Sequence, residues 1–348
     1  MSKFNDCFVN KIFLVYGFGK TGLAAYNYLK NKNKVFIYDD NKKFITINKL
    51  KSIHFDYVVL SPGININNCK LTNYLKLNKK KIITDLDIFY LNNPKNLKIT
   101  VTGTNGKSTT AKLLYEILKD QKKNVVLSGN IGIPILSIKN INYKTIFVIE
   151  ASSYQIDYSQ YYKSDYSFIL NISPDHLERH GTMKKYVHSK LKLILNQNEN
   201  YYAFIDNNKY LNSEIKKHKI KKKIIKIKNN FNYKIKQITN KYFYNYNNLK
   251  NLSFIFEFAK IFKLNKKVIF KTINSFKGLN FRQQIIYQNS HLTIINDSKS
   301  TSFSSSINLL KSQNKIYWIV GGIAKKGDKF TLRSKYYKNI KCFIFGKN

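Results

Sequence analysis

Short apolar runs alternate with longer amphipathic stretches along most of the chain, and many of the runs end in glycine, an acid or a polar turn. Early on, Lys11–Gly17 (KIFLVYG), Lys34–Asp39 (KVFIYD), Tyr57–Leu60 and Lys81–Thr84 (KIIT) predict strands, and Thr21–Leu29 predicts a helix. Apolar runs of this length that do not alternate with polar residues suit strands covered on both faces. After the polar break Asn92-Asn93-Pro94 a second series begins. Lys98–Thr102 (KITVT), Asn124–Leu127, Thr145–Glu150 (TIFVIE) and Ser167–Asn171 (SFILN) read as strands. Lys107–Lys119 reads as a helix, and Pro174 to about Asn196 as largely helical. Tyr201–Tyr246 is crowded with Lys, Asn and Tyr and reads as low-complexity drift over an edge, with short strand-like pieces. Helices follow at Asn247–Phe262 and Lys267–Phe276. From about Gly278, strands are expected at Leu292–Asn296, Lys315–Val320 and Lys341–Phe345, with a helix over Ser302–Lys311. Strands alternating with helices predict an α/β fold with parallel sheets. The breaks divide it into units 1–92, 93–278 and 279–348.

A chain of 348 residues exceeds what one core usually holds, so several domains are expected. The formal charge of +42 raises nucleic-acid binding as a reading. The lysines are scattered, however, among many residues with A/T-rich codons, and they form no stripe. Compositional drift is the preferred account and no nucleic-acid partner is expected, although the positive field should attract anionic substrates. No long uncharged apolar run and no secretory signal are visible, and Cys7, Cys69 and Cys342 show no metal-ligand spacing. A cytoplasmic monomer without membrane association is expected.

The candidate chemistry lies at strand ends. Gly103-Thr104-Asn105-Gly106-Lys107-Ser108-Thr109 sits between a strand and a helix, where backbone N–H groups and a helix N-terminus can cradle phosphates. Lys107 supplies a mobile charge and Ser108 a hydroxyl for Mg2+. Glu150, at the end of TIFVIE, is placed to act as a metal ligand. Gly17-Phe18-Gly19-Lys20-Thr21-Gly22, with Asp39 ending the next strand, also fits a dinucleotide-binding turn, so a nicotinamide-dependent oxidoreductase stays open for the first unit.

TGTNGKST resembles the ATP loop of the Mur ligase superfamily, and further segments extend the resemblance over nearly the whole chain. These are ExSSYQ from Glu150, NISPDHLER from Asn171, GNIGIP from Gly129, SPGI from Ser61, TDLDIF from Thr84 and NDSKST from Asn296. The last resembles the branch that adds D-glutamate. The resemblance implies a Rossmann-like N-terminal domain, a P-loop-type central ATPase domain and an incomplete Rossmann-like C-terminal domain. The family's later SP[AG]x[AS]SxD segment is not found in this sequence. A degenerate nucleotide-binding remnant without turnover is therefore kept as an alternative.

By the same resemblance, ATP and two Mg2+ ions are expected, with UDP-N-acetylmuramoyl-L-alanine and D-glutamate as substrates. Lys107, His176, Lys190, Arg282 and Lys299 would be catalytic. Ser108, Glu150, His176 and Lys190 would hold metal, Lys190 as a carbamate. Gly103 to Thr109, Asn248, Asn251, Arg282 and Asp297 would bind ATP. Lys20, Thr21, Asp39, Gly63, Asn130, Ser152, Thr301 and Lys325 would bind the other substrates.

Overall fold

A computed structural model describes residues 7–228, 235–244, 246–300, 302–311, 314–323 and 329–346. Thr301 and Lys325 lie outside the described residues.

The first sheet is built from β1 (Ile12–Tyr16), α1 (Lys20–Leu29), β2 (Lys34–Tyr38), α2 (Ile47–Lys51), β3 (Tyr57–Leu60), α3 (Thr72–Leu77) and β4 (Ile82–Ile83). Among the described residues its strands run parallel in the order β2-β1-β3-β4. Because successive strand residues point to opposite faces, Leu14, Tyr16, Val58 and Leu60 pack on Leu50, Phe55 and Leu75. Phe13, Val15 and Val59 face the other way, toward Ala24, Ala25 and Leu29 of α1. That second cluster continues through Leu86 and Phe89 of α4 (Asp85–Asn92) into Phe147 and Ile149. The first sheet thus shares a core with the strands that follow.

The second sheet is built from β5 (Lys98–Thr102), α5 (Lys107–Asp120), β6 (Val125–Gly129), β7 (Ile146–Glu150), α6 (Ser153–Tyr158), β8 (Tyr166–Ile169), α7 (Leu177–His180), α8 (Met183–Leu195), β9 (Tyr202–Asp206), α9 (Lys209–Lys217) and β10 (Lys223–Ile227). It is followed by α10 (Tyr246–Ile261) and α11 (Lys266–Ser275). The described strands are all parallel, in the order β10-β9-β8-β5-β7-β6. One face carries an apolar cluster in which Phe168, Phe204, Phe254 and Phe258 meet Leu113, Leu114 and Ile117 of α5. On the other, Ile169 and Ile205 pack on Val187, Leu191 and Leu211 of α8 and α9. β5 lies between β7 and β8, so the chain changes direction across the sheet there, and the C-terminal ends of these strands form a natural crevice.

Three expectations are refined by the structure. The stretch read as drift, Tyr201–Tyr246, contains two regular parallel strands and the crossover helix α9, because Ala203, Phe204, Ile205 and Leu211 are fully buried despite their lysine-rich surroundings. The helical stretch after Pro174 is broken at Gly181, whose φ of +78° separates α7 from α8. The strand expected at Leu292–Asn296 is half of an antiparallel hairpin, β11 (Gln284–Gln288) with β12 (Thr293–Asn296). Beyond it, α12 (Phe303–Lys311) precedes the parallel pair β13 (Ile316–Gly321) and β14 (Ile340–Phe345), over a small core of Ile307, Leu310 and Leu332. Among the described residues no helix is long and apolar enough to cross a membrane.

Candidate active site

β5 is buried along its whole length and delivers the chain into the glycine loop. Gly106 has φ +82° and its Cα packs against Asn251; a Cβ there would sit 2.6 Å from the Asn251 amide nitrogen. Only glycine suits both conditions. The loop is strapped to the segment that leaves β8. Asn105 N donates to Asn171 Oδ1 (2.8 Å), and Asn171 Nδ2 donates back to Asn105 O (2.8 Å). Thr104 N donates to Asn171 O, Ser173 N donates to Thr104 Oγ1, and Thr104 Oγ1 lies 2.9 Å from the Tyr186 hydroxyl. Lys107 folds back, donating to the carbonyls of Gly103 (3.0 Å) and Thr104 (2.8 Å). Ser108 and Thr109 are buried in the first turn of α5.

Beside the loop stands a buried charged cluster. Lys190, only 2% exposed, donates to Gly103 O (3.0 Å) and lies over the Tyr186 ring. Burial, reinforced by the charge of Lys107, holds its amine well below the ordinary lysine pKa, while Asp175 and Glu150 oppose the shift. Glu150 is equally buried; its Oε1 accepts from Asn130 Nδ2, and its Oε2 has no hydrogen-bond partner. A buried carboxylate oxygen without a partner is costly unless something occupies it. His176 precedes α7 in the left-handed region (φ +56°), with Nε2 3.2 Å from Asp175 Oδ2 and its ring against Tyr154. A non-glycine residue held there at a strand-end crevice fits a functional constraint. The partnerless carboxylate oxygen of Glu150 and the Ser108 hydroxyl at the loop are oxygen donors, which suit a hard divalent cation such as Mg2+.

Several residues that shape this site carried no assigned role in the sequence. Asn171 and Arg179 lie inside the NISPDHLER segment, and Tyr186 lies outside it. The Arg179 guanidinium stacks 3.7 Å over the Tyr154 ring and donates to the carbonyls of Pro62 and Ile64, reaching the SPGI turn of the first sheet. His180 is buried beside Ser153 Oγ (3.0 Å). Burial, with the charges of Lys190 and Arg179, pushes its pKa down to about 4 and keeps it neutral at pH 7. Tyr242, for which the sequence offered no signal, meets Thr109 Oγ1 (3.3 Å) and packs on Gly278.

The remaining expected residues fall in two further places. Asn248 donates to Tyr242 O (2.8 Å), placing it and Asn251 at the edge of the glycine loop. Burial raises the Tyr242 hydroxyl above its ordinary value, while the Thr109 bond and Arg282 pull it down and Asp297 adds to the rise. Arg282 and Asp297 are therefore within electrostatic reach of Tyr242. Asp297 accepts from Gln283 N (3.1 Å), and Lys299 N donates to Phe281 O (3.0 Å). Ser305 of α12 donates to Asn105 Oδ1 (2.8 Å), bringing the third unit onto the loop.

At the first sheet, Gly17 has φ +91°, and a Cβ on Gly22 would lie 1.9 Å from Gly17 O, so the turn and the start of α1 pack backbone to backbone. Lys20 and Thr21 open α1, and Gly63 is exposed in the facing turn. Asp39 shapes the turn itself, accepting from Phe18 N (2.7 Å) and Asn41 N (3.0 Å). Burial would raise its pKa, but these bonds outweigh it and hold the carboxyl below its usual value. Ser152 is occupied as the N-cap of α6, in a capping box with Gln155.

Residues 101–268 match the model of the Mur ligase middle domain. The chain is 33% identical to the UDP-N-acetylmuramoylalanine--D-glutamate ligase of Rickettsia bellii (strain RML369-C), over 96% of this chain and 81% of that protein. It is also 33% identical to the protein of that name from Francisella tularensis subsp. novicida (strain U112), over 99% and 82%. Among solved structures it resembles MurF ligase from Thermotoga maritima in complex with ADP (TM-score 0.54, 16% identity, 92% of this chain and 77% of that one). It likewise resembles the UDP-N-acetylmuramate-alanine ligase MurC of the same organism (TM-score 0.53, 17% identity, 89% and 80%). The chain belongs to the Mur ligase family.

Proposed function

We propose that this protein is an ATP-dependent ligase that joins D-glutamate to UDP-N-acetylmuramoyl-L-alanine in peptidoglycan synthesis, working in the cytoplasm as a monomer. The observation that carries the reading is the buried Glu150 carboxylate, whose Oε2 has no hydrogen-bond partner, within electrostatic reach of buried Lys190 beside a glycine loop onto which Lys107 folds. Relatives at 33% identity bear the name of that activity. In this reading unit 1–92 holds the UDP portion through Lys20, Thr21, Asp39 and Gly63, unit 93–278 holds ATP, and unit 279–348 receives the amino acid.

An oxygen of the L-alanyl carboxylate attacks the γ-phosphorus of ATP, ADP leaves, and an acyl phosphate forms. The D-glutamate amine then attacks the acyl carbon, inorganic phosphate leaves, and the nitrogen loses a proton to give the amide. Lys107, released from the loop carbonyls, and Arg282 offset the charge on the transferred phosphoryl group. Asn248 and Asn251 border the adenine, Asp297 the ribose, and Asn130 and Ser152 the muramoyl substrate. Lys299 would act near the reaction centre, and by resemblance Thr301 would face the incoming amino acid and Lys325 the glutamate carboxylates. Ser108, Glu150, His176 and Lys190 would hold two Mg2+ ions, which when bound act as Lewis acids on the phosphate oxygens.

Lys190 would serve as a carbamate. Its neutral amine attacks the carbon of CO2, an N–C bond forms as one C=O π pair moves onto oxygen, one proton departs from nitrogen, and the neutral amine becomes an anionic carbamate. The lowered amine pKa supports this step, and neighbouring Lys107 would stabilise the product.

The test is phosphate release with UDP-N-acetylmuramoyl-L-alanine, ATP, Mg2+ and D-glutamate. Release should require all four, and Lys107→Ala should reduce it by at least about 100-fold. Folded protein that releases no phosphate would reject turnover and favour a nucleotide-binding remnant.

A further inference from the structure

The helices α8 and α9 carry a second cluster of metal-ligating side chains, outside the phosphate site. His188, Glu214 and His218 present ligand atoms that all lie within 4.8 Å of one another. We infer that these three residues bind one divalent transition-metal ion of the zinc type and clip α8 to α9.

The placement follows from the fold. Glu214 and His218 are one turn apart and share a face of α9, with His218 as its C-cap. Their closest approach, Glu214 Oε2 to His218 Nε2, is 3.4 Å, close to the ~3.3 Å edge of a tetrahedron around zinc at ordinary bond lengths. His188 comes from the neighbouring helix, its ring 5.3 Å from that of His218 and inclined by 44°. The two helices are held together by Val187 and Leu191 against Leu211, with Ile215 packed on them, so the three ligands are presented by rigid elements. His188 and Lys190 are two residues apart on α8, about 200° around the helix. Lys190 is buried toward the glycine loop, and His188 is only half-buried.

The surroundings select the class of ion. Lys184 and Lys217 meet beside the cluster, which disfavours a hard cation held by charge alone. Two imidazoles and one carboxylate suit zinc, nickel or copper rather than magnesium or calcium. Asp157 lies within electrostatic reach of His188. Three protein ligands leave a fourth position for water.

The experiment titrates Zn2+ into the full chain and into His188→Ala/His218→Ala, with bound metal counted by elemental analysis after dialysis. The wild type should retain one equivalent more than the double variant, so zinc taken up at the magnesium site cancels. Zinc should raise the melting temperature of the wild type by more than that of the variant. Equal metal content in the two proteins, or no zinc in either, overturns the assignment. If circular dichroism shows the double variant unfolded, Glu214→Gln, which keeps the side chain's shape, decides. At least a tenfold weaker zinc affinity is expected for it, and unchanged affinity overturns the site.

Discussion

Asn171 supplies a measurable share of the glycine loop's shape, and truncating it to alanine isolates that share. Its side chain makes two bonds to the main chain of Asn105, one as acceptor and one as donor, both 2.8 Å. Each is worth about 1 kcal/mol net, so Asn171→Ala should cost the ordered loop about 2 kcal/mol. Thr104 keeps its own bonds to Asn171 O, Ser173 and Tyr186, so the damage stays at the Asn105 peptide. A nucleotide that binds only the ordered loop must meet that cost, which amounts to a tenfold to roughly 30-fold weaker dissociation constant. Asn171→Asp keeps the acceptor, loses the donor and places a negative charge beside the phosphates, so it should bind more weakly still. Calorimetric titration with a non-hydrolysable ATP analogue and Mg2+ measures both. A folded Asn171→Ala protein whose affinity stays within about twofold of wild type would refute the assignment of the loop's shape to these bonds.

Two stability predictions follow from α4. Asp87 is fully buried and accepts from Thr84 N, Ser159 Oγ, Gln160 N, Tyr161 N and Tyr162 N. Asp87→Ala strands several of these donors and should lower stability by about 4 kcal/mol, read as a shifted urea midpoint; a loss under about 1 kcal/mol would contradict the network's role. Asp85 is also buried, and burial lifts its pKa to about 6, with the Gln155 side chain and Leu86 N–H offsetting only part. Since the folded form holds its proton more tightly than the unfolded chain, stability is lost as pH rises from about 4 to about 6 and stays lowered above that. Asp85→Asn should therefore match wild type near pH 4 and be more stable by about 2 kcal/mol at pH 7.5, whereas an equal gain at both pH values would rule out the titration of Asp85.

Strands such as KIFLVY, KITVT and TIFVIE were legible because β1, β5 and β7 are covered on both faces and their composition leaves no other use for them. β10 (KIIKI), with exposed lysines at Lys223 and Lys226 and only Ile227 fully buried, carries little of that signal. β4 has two residues, too few for any periodicity. At the site, Lys107 and Glu150 were singled out because their chemistry needs particular residue types at the ends of strands. His176 and Lys190 were singled out by resemblance alone, since a lone histidine or one lysine among many does not advertise a role. Asn171 and Arg179 act through partners 66 and 117 residues away, and Tyr242 through one 133 residues away, distances over which local pattern carries no information.

Arg179 fastens the central unit to the first one by gripping main-chain oxygens at positions 62 and 64. Every amino acid offers the same carbonyl, so the clasp does not depend on which side chains occupy the gripped turn. In a chain so rich in lysine and asparagine, such a joint is insulated from changes of side chain on one of its two sides. Wear can reach it only through the arginine or through the tyrosine ring that supports it.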